Sequence, residues 1–253
     1  FFFFFLMIRR PPRSTLFPYT TLFRSPSVII LSAFFITLWG GKIRFNTPML
    51  FALAFLPMFG IGGLTGLPLG LAPTDIHLHD TYYVIGHFHY VVAPGTLFAI
   101  FAGIYFWFPK ITGKKLNERL GKIHFFFSLI FINGVFMPMF IQGLAGVSRR
   151  LADGGVSYAH AAGVLQWNEF MSMSAWLLGL AQIPFIINFF MTIFKKVDGV
   201  ADPNPWKSTT MEWTDTTSPP LGHGNFETAP VVYRGPYEYS IEEIGRASCR
   251  ERV

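Results

Sequence analysis

Long apolar runs separated by short polar turns set the plan of this chain. Pro48–Leu71, Tyr82–Pro109, Ile123–Ala145 and Ala161–Phe194 are mainly apolar. Each reaches the roughly 20 residues that a helix needs to cross a bilayer. A fifth run, Ser27–Trp39, is too short and reads as the remnant of a helix. None of the runs carries the polar face at a 3.6-residue period that a soluble helix shows. Gly62, Gly63, Pro138 and Pro184 lie inside the runs, where neighbouring helices can satisfy the backbone groups they disturb. The predicted fold is all-α: a polytopic transmembrane helical bundle with about four complete spans plus a partial one.

The turns predict an orientation. Lys42 and Arg44 occupy the first, whereas Ala72–Asp80 carries two Asp and no Lys or Arg. Lys110, Lys114, Lys115, Arg119 and Lys122 crowd the third, and Lys195–Lys196 follows the last run. Basic turns therefore alternate, which puts the first, third and C-terminal segments on the cytoplasmic side. Arg149 and Arg150 break the rule in the fourth turn, beside Asp153. A positive pair on that side invites an anionic partner; a solvated charge pair is the plainer alternative.

Composition sharpens this picture. The chain is 51% hydrophobic, with 30 Phe among its 253 residues, and only 13% charged. A soluble domain carries about a quarter charged residues. The net charge of +6 sits in the turns, so it signals no nucleic-acid partner; membrane lipid is the expected surround. The single Cys, Cys249, excludes a disulfide framework or a thiolate metal site.

Both ends differ from the rest. Residues 1–25 place an apolar cap before Arg-Pro clusters, the reverse of a signal peptide. They resemble translated sequencing-adapter sequence, as do residues 245–253, GRASCRERV. The expected organisation is thus foreign ends at 1–25 and 245–253, membrane helices over 26–196, and a cytoplasmic tail of extended segments and turns over 197–244.

Candidate chemistry concentrates in one stretch, Asp75 to Tyr90, which holds Asp75, His77, His79, Asp80, His87 and His89. Ionisable side chains inside a bilayer are costly and usually functional. A lone membrane His can serve simply as a packing hydrogen-bonder, but two flanking Phe88 in one span point to ligation. Residues i and i+2 on a helix lie about 200° apart, so His87 and His89 face opposite ways. They cannot share one metal; each can hold its own centre, the two about 15 Å apart. Neutral imidazole in an apolar core suits haem iron. His79 and Asp80 sit at the helix mouth. They could bind a hard divalent ion with water and a partner protein, or the acid could simply favour the helix dipole. The guanidinium forks of Arg149 and Arg150 match carboxylates.

The segment LHDTYYVIGHFHYV, preceded by TPMLFALAFLPMFGIGGLTG and followed by GLAGVSRRLAD, resembles the cytochrome c oxidase subunit I family of haem–copper oxidases. The resemblance covers about residues 36–244, and motif, order and spacing agree over several spans. It implies that the spans are helices VIII, in part, to XII of a twelve-helix subunit in a bacterial cell membrane. It implies two haems of the a type: His87 as proximal ligand of the high-spin haem and His89 as an axial ligand of the low-spin haem. It further implies that His79 and Asp80 bind magnesium, and that Asp75, Arg149 and Arg150 hold haem propionates. The tail segments NPWKSTTMEWTDTTSPP and NFETAPVVYRGPYEY also look bacterial-oxidase-like.

The departures matter as much. In this family the copper ligands, the cross-linked Tyr and the second axial ligand of the low-spin haem lie before helix VIII, so copper is expected only in the full-length protein. A proton-feeding Lys belongs in helix VIII, where the best-aligned residue here is Ile30. His77 replaces a usually apolar residue and receives no role. The implied function is transfer of electrons from cytochrome c, through subunit II, to a low-spin haem. From there they reach a haem–copper centre that reduces O2 to water with proton translocation. Subunits II and III are the implied partners, and the fragment alone is expected to be inactive. The alternatives are a quinol oxidase subunit I and a non-redox membrane transporter.

Overall fold

The computed structural model describes residues 18–41, 43–194, 202–208, 210–214 and 216–222. Lys42, Lys195–Lys196, Cys249, most of the N-terminal segment and the tail beyond residue 222 lie outside the described residues. The chain divides at Gly40 into two compact units. The first contains helix α1, Pro18–Leu38. Ile30 lies on an exposed part of it.

The second unit carries the four predicted spans, each long and apolar enough to cross a membrane. Helix α2 is Thr47–Leu69 and the short α3 is Ala72–Leu78. The next span is α4, Tyr82–Val92, a π-helical turn at Ala93–Leu97, and α5, Phe98–Thr112. Helix α6 is Glu118–Leu144. The last span is α7, Gln166–Leu180, and α8, Ile183–Phe194, broken at Ala181–Gln182. A single turn, α9, spans Met211–Thr214. Among the described residues, extended pairing is limited to one isolated bridge, Thr81 to Ser148.

The boundaries depart from the hydropathy reading in two instructive places. Ala161, expected to open the last span, lies instead in a 3₁₀ segment, Ala159–Val164. The predicted turn at Ala72–Asp80 contains α3, with Pro73 near its start, where a missing N–H costs nothing.

Glycines let α4 sit tightly between α2 and α6. A Cβ at Gly62 of α2 would meet Val91 and the Tyr90 backbone at 2.9–3.0 Å. At Gly143 of α6 it would collide with the Tyr83 backbone. Such small-residue contacts are how membrane helices approach closely without a hydrophobic driving force. The aromatic core follows from this seam. Phe51 of α2, fully buried, packs against Phe98, Phe101, Tyr105 and Phe125. Large apolar side chains elsewhere point outward: only 11% of the α7–α8 span is buried, against 33% of α6. That distribution suits a lipid surround.

The predicted alternation of turns appears as two opposite ends. At one, Arg44 donates to the Trp206 carbonyl at 2.9 Å, and Lys115 lies 4.6 Å over the Trp206 ring. The tail packs here: the Trp206 indole donates to the Phe106 carbonyl at 3.0 Å and its ring stacks on Phe106. At the other end, the segment before α4 joins the segment after α6.

Candidate functional site

The join at that second end is built from backbone first. The Tyr82 N–H donates to the Val147 carbonyl (3.0 Å) and the Arg149 N–H to the Asp80 carbonyl (2.8 Å). Asp80 and Arg150 both adopt left-handed backbone, with φ of 56° and 65°. Strained conformations of this kind persist where the surroundings over-determine them, often at functional sites. Arg149 Nε then donates to Asp80 Oδ1 at 2.8 Å. That hydrogen bond, more than charge alone, holds the Asp80 carboxyl below its ordinary range.

The acidic and imidazole groups expected to hold a cation lie around this pair. His79 Nε2 is 3.4 Å from Asp80 Oδ2, and His79 Nδ1 is 4.0 Å from Asp75 Oδ2. All three side chains are substantially exposed. Among the described residues, no three His, Cys, Asp or Glu converge as a metal ligand set. His79 and Asp80 thus offer at most part of a shell, and Arg149 already engages one Asp80 oxygen. His77 is exposed in the last turn of α3. Arg150 is exposed beside Arg149.

Thr81 starts α4, its hydroxyl accepting from the Tyr83 N–H at 3.3 Å and donating to the Leu78 carbonyl at 2.7 Å. One turn and a half further on, the two histidines diverge as their spacing requires. His87 turns to α2, with Nδ1 2.8 Å from the Gly62 carbonyl and 3.2 Å from the Thr65 hydroxyl. Gly66 gives its ring room, since a Cβ there would stand 2.7 Å from His87 Cε1. His89 turns to α6, where it stacks on Phe136, centroids 4.4 Å apart and planes 15° apart. Its Nδ1 lies 2.8 Å from the Ile85 carbonyl, one turn back on α4.

A carbonyl can only accept, so Nδ1 carries the proton in both rings and, in the neutral form, the lone pair is on Nε2. Fixing one ring nitrogen this way orients an imidazole for coordination through the other. The donor chemistry therefore fits haem iron, and each ring is held by different elements. Immediately beyond, the π turn at Ala93–Leu97 interrupts the helix. Such turns recur at functional sites.

Sequence reasoning did not single out His124. It is fully buried on α6, with Nε2 3.0 Å from the Gln182 Oε1 and Nδ1 3.2 Å from the Tyr105 hydroxyl. Gln182 also donates to the Ser128 hydroxyl at 3.1 Å. A histidine at the second position of the apolar run Ile123–Ala145 was the available signal.

Comparison with known proteins places these features in a family. Residues 12–177 match the family model described as Cytochrome C and Quinol oxidase polypeptide I. The cytochrome c oxidase subunit 1 of Synechocystis sp. is 46% identical over 223 residues, covering 88% of this chain and 39% of the relative. That of Thermostichus vulcanus matches with the same identity and coverage. The alternative cytochrome c oxidase subunit 1 of Bradyrhizobium diazoefficiens is 39% identical, with 37% of its length covered. This chain thus spans about two fifths of the curated relatives it matches. In fold, it is similar to a chain of a heme-copper terminal oxidase dimer solved by cryo-electron microscopy. The TM-score is 0.53 at 20% identity, over 73% of this chain and 35% of that one.

Proposed function

Because this chain belongs to the cytochrome c and quinol oxidase polypeptide I family and is a multi-pass membrane protein, we propose that it forms the C-terminal part of the haem-bearing core of a terminal respiratory oxidase. In this reading His87 is the proximal ligand of a high-spin haem and His89 an axial ligand of a low-spin haem. The observation that carries it is the pair of Nδ1 hydrogen bonds to the Gly62 and Ile85 carbonyls, made on opposite sides of one helix. The haems, both of the a type, supply the redox chemistry when bound. Copper and the second axial ligand of the low-spin haem are ascribed to the rest of the subunit.

The chain's own part is positional. Helix α4 is the covalent bridge between the two imidazoles, with Phe88 between them in sequence. Gly62 and Gly66 of α2 seat one ring and Phe136 of α6 seats the other. Asp75, Arg149 and Arg150 take the haem propionates, while His79 and Asp80 give a magnesium ion two ligands, completed by water and a neighbouring subunit. Electrons would come from cytochrome c through subunit II, with subunit III also in the complex, and O2 would be reduced to water with proton translocation.

The test uses a full-length oxidase carrying this segment. Replacing His87 with Ala should abolish the high-spin haem band and leave the low-spin band, and replacing His89 should do the reverse. A colourless parent, or both bands surviving both substitutions, would sink the reading. The family also includes quinol oxidases, so oxidation rates of reduced cytochrome c and of a quinol, compared on the same preparation, identify the donor.

A further inference from the structure

The geometry points to Thr65 as a positioning residue for His87: its hydroxyl oxygen is a second acceptor for the Nδ1–H, sharing that proton with the Gly62 carbonyl. This inference rests on the reading of His87 as a haem ligand and adds a residue that tunes it.

Thr65 has one hydroxyl proton and two backbone carbonyls to give it to. Its Oγ1 lies 2.8 Å from the Ile61 carbonyl and 2.9 Å from that of Gly62. Back-bonding of a helical Thr to the preceding turn is its ordinary habit. With that proton committed to the backbone, what Oγ1 presents to His87 Nδ1, 3.2 Å away, is a lone pair. The imidazole N–H therefore lies between two acceptors, at 2.8 and 3.2 Å. Gly62, Thr65 and Gly66 stand at i, i+3 and i+4 and share one face of α2. The first accepts, the second accepts, and the third leaves space for the ring.

Two acceptors have two consequences. They fix the rotation of the ring more tightly than one would. They also draw the Nδ1 proton outward, which raises the basicity of Nε2. A more basic axial nitrogen binds the oxidised metal better, so the hydroxyl lowers the reduction potential of whatever His87 ligates.

The test is made in the full-length oxidase bearing this segment. Its readouts are the iron–imidazole stretching band of the ferrous high-spin haem, by resonance Raman, and the midpoint potential of that haem. Thr65→Val and Thr65→Ala remove the hydroxyl, one keeping the side-chain volume and one not. Both should move the band to lower frequency and raise the potential, while Thr65→Ser should retain the parental values. Parental values in the Val and Ala variants, or a Ser variant displaced as far as they are, overturn the assignment. If neither hydroxyl-free variant incorporates haem, Thr65→Ser decides: a parental band supports the role and a displaced band refutes it. Failure of the underlying reading looks different, because the iron–imidazole band would then be absent from the parent or would survive in His87→Ala.

Discussion

Gly143 of α6 and Tyr83 of α4 meet so closely that no Cβ fits between them. The contact lies one turn before His87, so it fixes the height of α4 against α6. Gly143→Ala should therefore shift α4 and destabilise the bundle by about 1–3 kcal/mol, the usual cost of overpacking. Gly60, with nothing within 4 Å of its Cβ position, is the control; its Ala variant should gain no more than about 1 kcal/mol. Denaturant titration of the two variants in the same detergent compares them.

Acid should loosen the join between the segments flanking α4 and α6. The Arg149 hydrogen bond holds the Asp80 carboxyl below its ordinary value of 3.8. A depressed folded pKa contributes stability that is fully present above the ordinary value and is lost as pH falls through the folded one. Exchange of the Tyr82 amide, bonded to Val147, should thus accelerate relative to its intrinsic rate below about pH 3.8. Asp80→Asn should exchange fast at every pH and show no such transition. A parent without the transition would count against the pairing.

The buried network around His124 should be sensitive to its central amide. Gln182→Met leaves the His124 Nε2–H and the Ser128 hydroxyl without their partner on α7–α8. Stranding a buried polar group costs about 1–3 kcal/mol. The loss should show in thermal unfolding, and the double variant His124→Phe with Gln182→Met should recover part of it. A parental melting temperature in Gln182→Met would argue that the network adds nothing.

The tail should depend on one indole. Trp206 stacks on Phe106, donates to its carbonyl and lies under Lys115. Removing a buried Trp side chain typically costs about 3–5 kcal/mol. Trp206→Ala should release residues 202–222 to limited proteolysis while the membrane-embedded helices stay protected. Equal cleavage in parent and variant would show that Trp213, buried with the Lys110 ammonium 5.1 Å from its ring centroid, suffices to hold the tail.

Much of the architecture was legible because hydropathy reports length and insertion directly. The four spans, their alternating ends and the opposed His87 and His89 all follow from runs, charges and helical period. The remainder depends on partners far apart in the chain. Gln182 reaches His124 across 58 positions, and Arg44 reaches Trp206 across 162. Hydropathy hides the break at Ala181, since Gln166–Phe194 reads as one apolar run. The π turn at Ala93–Leu97 also leaves no mark on hydropathy. His79 and Asp80 were expected to face a cation, and the pairing of Asp80 with Arg149 arises from a backbone bridge that no spacing rule describes.

Two hydrogen-bonded residue pairs at the basic end impose an order on assembly. The first residue of α2, Thr47, gives its N–H (3.0 Å) and hydroxyl (2.8 Å) to Glu118, the first residue of α6 and 71 positions later. Asn117, which caps α6, exchanges two bonds of 2.9 Å with Asn188 of α8, 71 positions later again. During synthesis from the N-terminus, α2 begins life with an open start that only the third span closes. The third span then waits in turn for the fourth. A ribosome stalled before Asn188 would hold a chain whose first three spans have entered the bilayer, with the start of α2 already latched and that of α6 still open.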